Sequence, residues 1–261
     1  MKLSKSGLLV GLALAASAVL SACGGGGGDD GIDDRLGISK PSVRVIHAIT
    51  GGPNLDVLQN GTKTSFLNEP YKFVSNYFDV DTGSQLIAFN VTNTSTQLGS
   101  AAVDAHTGHK YTVVALPGAT AAEVLTIDDP YDKSLLSDKA RVRTLNASFN
   151  AQNIDVYVTT PAADLNAVSP NMAAVGYKTA NPATGQDSLY LDGGTYRLRI
   201  TTAGTKTVIF DSGALTLGNN ADWLITTIPV DGIGALVPNR IKVLVAQSST
   251  GAGDAQELVS Q

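Results

Sequence analysis

Val43-Arg44-Val45-Ile46-His47-Ala48, with Asn54-Leu55-Asp56-Val57 a few residues on, recurs 99 residues later as Val142-Arg143-Thr144-Leu145-Asn146-Ala147 with Asn153-Ile154-Asp155-Val156. One spacing serves both segments. Further along, Asp81-Thr82-Gly83-Ser84 is echoed by Asp192-Gly193-Gly194-Thr195, and Lys110-Tyr111-Thr112-Val113-Val114 by Asp222-Trp223-Leu224-Ile225-Thr226, at offsets of 111 and 112. An insertion around Pro161 to Gly185 accounts for the drift. A period this long is the mark of a duplicated domain, since solenoid units run about 20 to 50 residues. The boundary falls between Asp128-Asp129-Pro130 and Lys139. The sequence thus predicts a first domain over 41–129, a linker over 130–139 and a second domain over 140–261.

Each half is punctuated by short strand signals. Tyr196, Leu198 and Ile200 alternate with Arg197, Arg199 and Thr201, a period-two pattern that puts apolar side chains on one face and charges in water. Similar runs occur at Val43 to Ala48, Leu55 to Leu58, Gln85 to Val91, Tyr111 to Leu116 and Val124 to Ile127. Asn60-Gly61, Thr82-Gly83, Gly193-Gly194 and Ala203-Gly204 supply turns between runs. About seven short strands per half, without a sustained helical period, predict an all-β chain of two tandem immunoglobulin-like antiparallel β-sandwich domains. The Cys-Trp-Cys signature of true immunoglobulins is missing. The last run, Arg240 to Ala246, either completes the second sandwich or pairs between domains.

The N-terminus reads differently. Lys2 and Lys5 precede an apolar stretch from Gly7 to Leu20, too short at 14 residues to span a bilayer and suited to a secretory signal over 1–22. Leu20-Ser21-Ala22-Cys23 resembles the bacterial lipobox. That resemblance implies cleavage before Cys23, acylation of its thiol, and attachment to a membrane through lipid. Residues 23–40, opening with Gly24 to Gly28 and the acidic run Asp29 to Asp34, predict a flexible tether. Gly24 after the cysteine implies, by resemblance to lipoprotein sorting in enterobacteria, delivery to the outer membrane.

Removing Lys2 and Lys5 from the 18 Lys and Arg leaves 16 against 23 Asp and Glu, a net charge of −7 without clustered bases. That balance argues against a nucleic-acid partner. As the one cysteine, Cys23 leaves the folded part without disulfide, thiol nucleophile or cysteine metal site. The Val-Arg-Val-x-His-Ala strand, the turn with Pro53 and the Leu55-Asp56-Val57 strand resemble the opening of the family catalogued as domain of unknown function 4397. The resemblance runs over Ser42 to Ile127 and again over Ala140 to Val245, with Asn146 in place of the first copy's His47. It implies fold and envelope location, and no catalytic residues.

Chemistry-bearing groups are few. Asp104, His106 and His109, just before the Tyr111 strand, are a ligand set that suits zinc or another divalent ion. The spacing spans a glycine-containing turn and the second half has no histidine there, so a solvated turn is the main expectation and a metal site its alternative. Asp56 and Asp155, at equivalent positions, read as a repeated structural motif bonding a turn backbone. Trp223, Tyr196, Tyr190 and Tyr177 read as core, with a sugar-stacking platform as the alternative. With no nucleophile elbow, phosphate loop or zinc-protease motif, no enzymatic activity and no cofactor are expected. The sequence points to a noncatalytic envelope module that binds an unidentified protein or glycan partner, or serves structurally. A carbohydrate-binding protein and a metal-binding protein or enzyme at His106 and His109 are the alternatives.

Overall fold

The computed structural model describes residues 32–247 and 255–261. The signal segment 1–22, the lipidation at Cys23 and the first part of the tether lie outside the described residues. The first half carries β1 (Ser42–His47), β2 (Leu55–Gln59), β3 (Thr62–Lys63), β4 (Phe78–Asp79), β5 (Gly83–Val91), β6 (Gln97–Ala105), β7 (Lys110–Leu116) and β8 (Glu123–Asp129). The second carries β9 (Ala140–Asn146), β10 (Asn153–Thr159), β11 (Met172–Gly176), β12 (Ala180–Asn181), β13 (Leu189–Leu191), β14 (Gly194–Thr202), β15 (Val208–Leu217), β16 (Asp222–Pro229), β17 (Ile241–Gln247) and β18 (Gln256–Leu258).

These strands form four sheets, two per half. The first pair runs β4-β1-β7-β8 and β3-β2-β5-β6; the second runs β12-β9-β16-β17-β18, with β13 also on β9, and β11-β10-β14-β15. The protein is therefore an all-β sandwich protein. Most neighbours are antiparallel, but β1 lies parallel to β7 and β9 parallel to β16. Val43 pairs with Tyr111 and Val142 with Trp223, so the registers reproduce both offsets seen in the sequence. The final run is settled too: β17 pairs antiparallel with β16, inside the second sandwich.

Each sandwich fills its own core from alternate residues. Val43, Val45, Val57, Ile87, Phe89 and Val113 meet in the first; Val142, Ile154, Val156, Leu198, Phe210 and Trp223 meet in the second. The intervening residues of β1, β7, β9 and β16 do not face water. Ile46, Val114, Leu116 and Ile127 meet Leu145, Leu224, Ile228 and Leu244 in a third apolar cluster, which joins the two sandwiches face to face. The molecule is four sheets deep, and its two inner sheets are covered on both sides. β1, β7 and β9 are buried along their whole length.

Two expectations are corrected by this packing. The alternation in β14 is as read, but Arg199 is buried: its guanidinium donates to Thr159 Oγ1 at 2.9 Å and to Ala163 O at 3.0 Å, because the inserted segment after Pro161 covers that face. The tether does not extend to residue 40 as a solvated chain. Ile32–Arg35 form a single helical turn, α1, whose Asp34 pairs with buried Lys110 at 3.0 Å, and whose Asp33 carbonyl accepts from the N–H groups of Ile38 and Ser39. In the linker 130–139, Tyr131 and Lys133 are buried while Leu135 and Leu136 are exposed. Arg35 ties the two segments together by donating to Leu135 O at 2.6 Å, Ser137 O at 2.8 Å and Asn220 Oδ1 at 3.0 Å. An acidic run reads as solvated when its counter-charges are distant in sequence, and here the counter-charge is about 75 residues on.

Candidate functional site

The His106–His109 turn joins β6 to β7. Gly108 is at a φ of +79°, and a β-carbon there would sit 2.8 Å from the Gly37 backbone; its N–H donates to Ser39 O. Glycine is required for this close approach, which clamps the turn beneath the segment following α1. His106 Nε2 lies 3.4 Å from Asp104 Oδ2, both well exposed, while His109 Nδ1 is 2.7 Å from Asp128 Oδ1 and its ring stacks on Tyr111. The two imidazoles are neighbours, 5.6 Å between centroids, but each turns to a different carboxylate. Among the described residues no group of three or more His, Cys, Asp or Glu is placed to hold a metal ion.

His47 and Asn146 accept alike from the N–H two residues on and differ in the loop carbonyl they reach. His47 Nδ1 accepts from Ile49 N–H at 3.2 Å, and Nε2 lies 3.0 Å from Pro53 O, as its neutral form requires. Asn146 Oδ1 accepts from Ser148 N–H at 3.1 Å, two residues on, and its Nδ2 donates to Ala151 O at 2.7 Å. Both side chains bridge the chain as it leaves the inner sheet. Burial lowers the His47 pKa, against the opposing effect of the Pro53 carbonyl.

Asp56 and Asp155 brace the outer sheets. Asp56 accepts from Asn68 N–H at 2.9 Å, Thr92 Oγ1 at 3.1 Å and Lys63 Nζ at 2.8 Å. Asp155 accepts from Ala174 N–H at 2.7 Å and Gly204 N–H at 2.8 Å. Asn68 and Ala174 both have positive φ, so in each half the carboxylate holds a residue in a conformation side chains resist. The aromatics form no common platform. Trp223 is buried in the second core, Tyr196 packs against it, Tyr190 donates to Asp187, and Tyr177 lies under Lys178.

The densest polar constellation lies between the inner sheets, beside the shared apolar cluster. Arg141, 1% exposed at its side chain, contacts Asp129 at 2.5 Å, Asp187 at 2.6 Å and Asp222 at 3.4 Å. Arg143 reaches Asp129 at 3.4 Å and donates to the carbonyls of Pro182 and Ala183. Tyr131 is sandwiched between cations, with Lys110 Nζ 4.1 Å and Arg141 Cζ 4.0 Å from its centroid. Arg44 lies 4.6 Å from the Tyr77 centroid and donates to Thr112 Oγ1 at 3.3 Å, while its Nε and Nη1 find no hydrogen-bond partner among the described residues. Burial works against the charge on Arg141, but Asp222, Asp129 and Asp187 outweigh it and raise its pKa well above the ordinary arginine value. Such a group stays a cation and transfers no proton. Chemically the constellation is a lock between the sandwiches.

The sequence reading missed this lock, although a signal was present. Lys110 and Asp222 are equivalent positions of opposite charge, and Arg141 and Arg143 flank Val142 as Arg44 precedes Val45. A separate cleft of about 490 Å³ opens where the insertion after β10 meets the β14–β15 hairpin. Tyr157, Asn166, Ser169 and Lys206 line it, and the Lys206 ammonium donates to Tyr157 Oη at 3.1 Å and Val168 O at 2.6 Å. In the first half β2 and β3 are joined by Asn60-Gly61 alone, without the inserted segment that forms one wall of this cleft.

The fold and these sites define a tandem β-sandwich protein with a buried ionic junction. Residues 41–157 match the family described as Domain of unknown function (DUF4397). The match begins just before β1 and ends within β10, so it takes in the first sandwich and the first two strands of the second. No curated protein matches the chain.

Proposed function

We propose that this chain is a bacterial envelope lipoprotein, held to a membrane by acylated Cys23, whose two sandwiches act as one noncatalytic interaction or structural module. Residues 140–261 are read as a second copy of the family domain. The like bonding of His47 and Asn146, and of Asp56 and Asp155, supports that reading. The outer membrane is the favoured site, from Gly24.

The observation that carries the proposal is the junction. Residues 32–40, the linker and both inner sheets are locked together by the Arg35, Lys110 and Arg141 contacts, leaving only the residues from Cys23 to Gly31 between the acylated cysteine and a rigid body. Here the buried polar groups are spent on holding two domains in one orientation. The experiment is metabolic labelling of the full chain in a bacterial host with a palmitate analogue, alongside the Cys23→Ala variant, followed by membrane fractionation and cross-linking in the intact envelope. Label and membrane recovery that depend on Cys23, with a reproducible cross-linked species, are expected. An unlabelled soluble protein, or turnover of a defined substrate, would defeat the reading.

A further inference from the structure

We infer that the end of the molecule formed by α1 and the Ser134–Ser137 turn is a lipid-contacting surface, which seats in the headgroup boundary of the membrane carrying the anchor. The inference rests on the anchored reading of Cys23 and specifies how the body then sits.

Large apolar side chains are exposed at this end together. Ile32 is 70% exposed, Leu36 50%, Leu135 49% and Leu136 98%. Ile32 and Leu36 are one helical turn apart, the Leu36 N–H donating to Ile32 O, so they share a face. Arg35, between them, bonds the carbonyls of Leu135 and Ser137 and so fixes the two segments side by side. Clustered leucine and isoleucine in water mark a binding surface when they recur in one place.

The occupant follows from where the chain enters. Cys23 is nine residues before Ile32, a reach of at most about 30 Å even when fully extended. This end is therefore the one held closest to the bilayer. A shallow apolar contact added to the acyl anchor resembles the two-signal attachment by which peripheral proteins fix orientation as well as residence. The exposed Ile233 lies beyond the far end of β16, about 23 Å from Asp222 along the strand, and serves as the internal control.

Acylation of Cys23 leaves an introduced cysteine as the sole free thiol. The full lipidated chain carrying Leu136→Cys, or separately Ile233→Cys, is labelled with a fluorophore and reconstituted in phosphatidylethanolamine–phosphatidylglycerol vesicles. Quenching is then compared between a spin-labelled lipid and aqueous iodide. The lipid quencher is expected to reach the probe at 136 at least about threefold better than the probe at 233, and iodide to show the reverse order. Equal quenching at both positions overturns the inference, as does a probe at 136 shielded from both quenchers, which would place protein over the patch. Mass analysis of the N-terminal peptide and vesicle flotation are read on the same samples. Unacylated, non-floating protein removes the anchored reading and this inference with it, whereas acylated, floating protein with a wet probe at 136 removes only the inference.

Discussion

Replacing Arg141 by alanine removes the centre of the junction. The side chain is 1% exposed and faces Asp129, Asp187 and Asp222 while stacking on Tyr131. Taking out one member of a buried ion cluster strips its desolvated partners of a counter-charge, a loss of about 3–5 kcal/mol. Arg143, 3.4 Å from Asp129, offsets part of that for this carboxylate. At roughly 2–4 °C per kcal/mol for a chain of this size, Tm should fall by about 6–20 °C. The assay is thermal and urea unfolding of the chain, followed by tryptophan fluorescence and by far-UV circular dichroism. Trp223 is the one tryptophan and belongs to the second core, so fluorescence reports that half alone. The native protein should show coincident transitions, because neither inner sheet can be exposed without opening the shared cluster. Arg141→Ala should lower both and separate them. A loss below about 1 kcal/mol with coincident transitions, the behaviour of a surface pair, would refute the assignment of the cluster as a lock.

Arg44→Met should behave in the opposite way: a buried cation with two unpaired nitrogens is replaced by an apolar chain, and urea stability should change by less than about 1 kcal/mol or rise. His47→Asn should fold with near-native stability because Asn146 already bonds the N–H two residues on and a carbonyl of the following loop, whereas His47→Ala orphans the Ile49 N–H and should cost about 1–3 kcal/mol in urea unfolding. The folded His47 pKa lies below the ordinary 6.5, so the unfolded chain takes up the proton first; stability is full above pH 6.5 and falls as pH drops through the lowered value. The His47→Asn variant should lack that part of the pH slope, and an unchanged slope would rule out His47 as its source. Leu145→Ala, in the cluster between the sandwiches, should cost about 2–5 kcal/mol by the same unfolding assay.

The repeat and the alternation were legible because they are local. The two offsets relate the halves, and the pairing of Val43 with Tyr111 on β1 and β7 recurs at the offset positions as Val142 with Trp223 on β9 and β16. What the far face of each strand meets was hidden. Arg44, Lys110, Arg141 and Arg143 alternate with valine and tyrosine just as solvent-facing charges do on a half-buried strand. Their burial depends on a partner sheet that no local pattern names. Arg199 was misplaced for the same reason, its cover coming from an insertion some 35 residues away. In the histidine turn, Asp128, which pairs with His109, lies on the neighbouring strand β8 rather than within the motif, so the spacing of the turn does not reveal it.

The proposed duplication accounts for the charges at the junction. On that reading, packing two copies of one sandwich through the same face brings like residues together, and Arg44 is equivalent in sequence to Arg143, both buried. Left identical, the facing sheets would set cation against cation in a site shielded from solvent, where repulsion is strongest. Divergence at one equivalent pair changes this: the first copy has Lys110 where the second has Asp222, and Asp222 faces Arg141. Asp129, Asp187 and Asp34, from β8, the approach to β13 and the N-terminal segment, supply the remaining negative charge. Two of these three come from outside the inner sheets. The linker and the N-terminal segment are drawn against the junction by the charges it leaves over, and that fixes Ile32–Arg35 beside it.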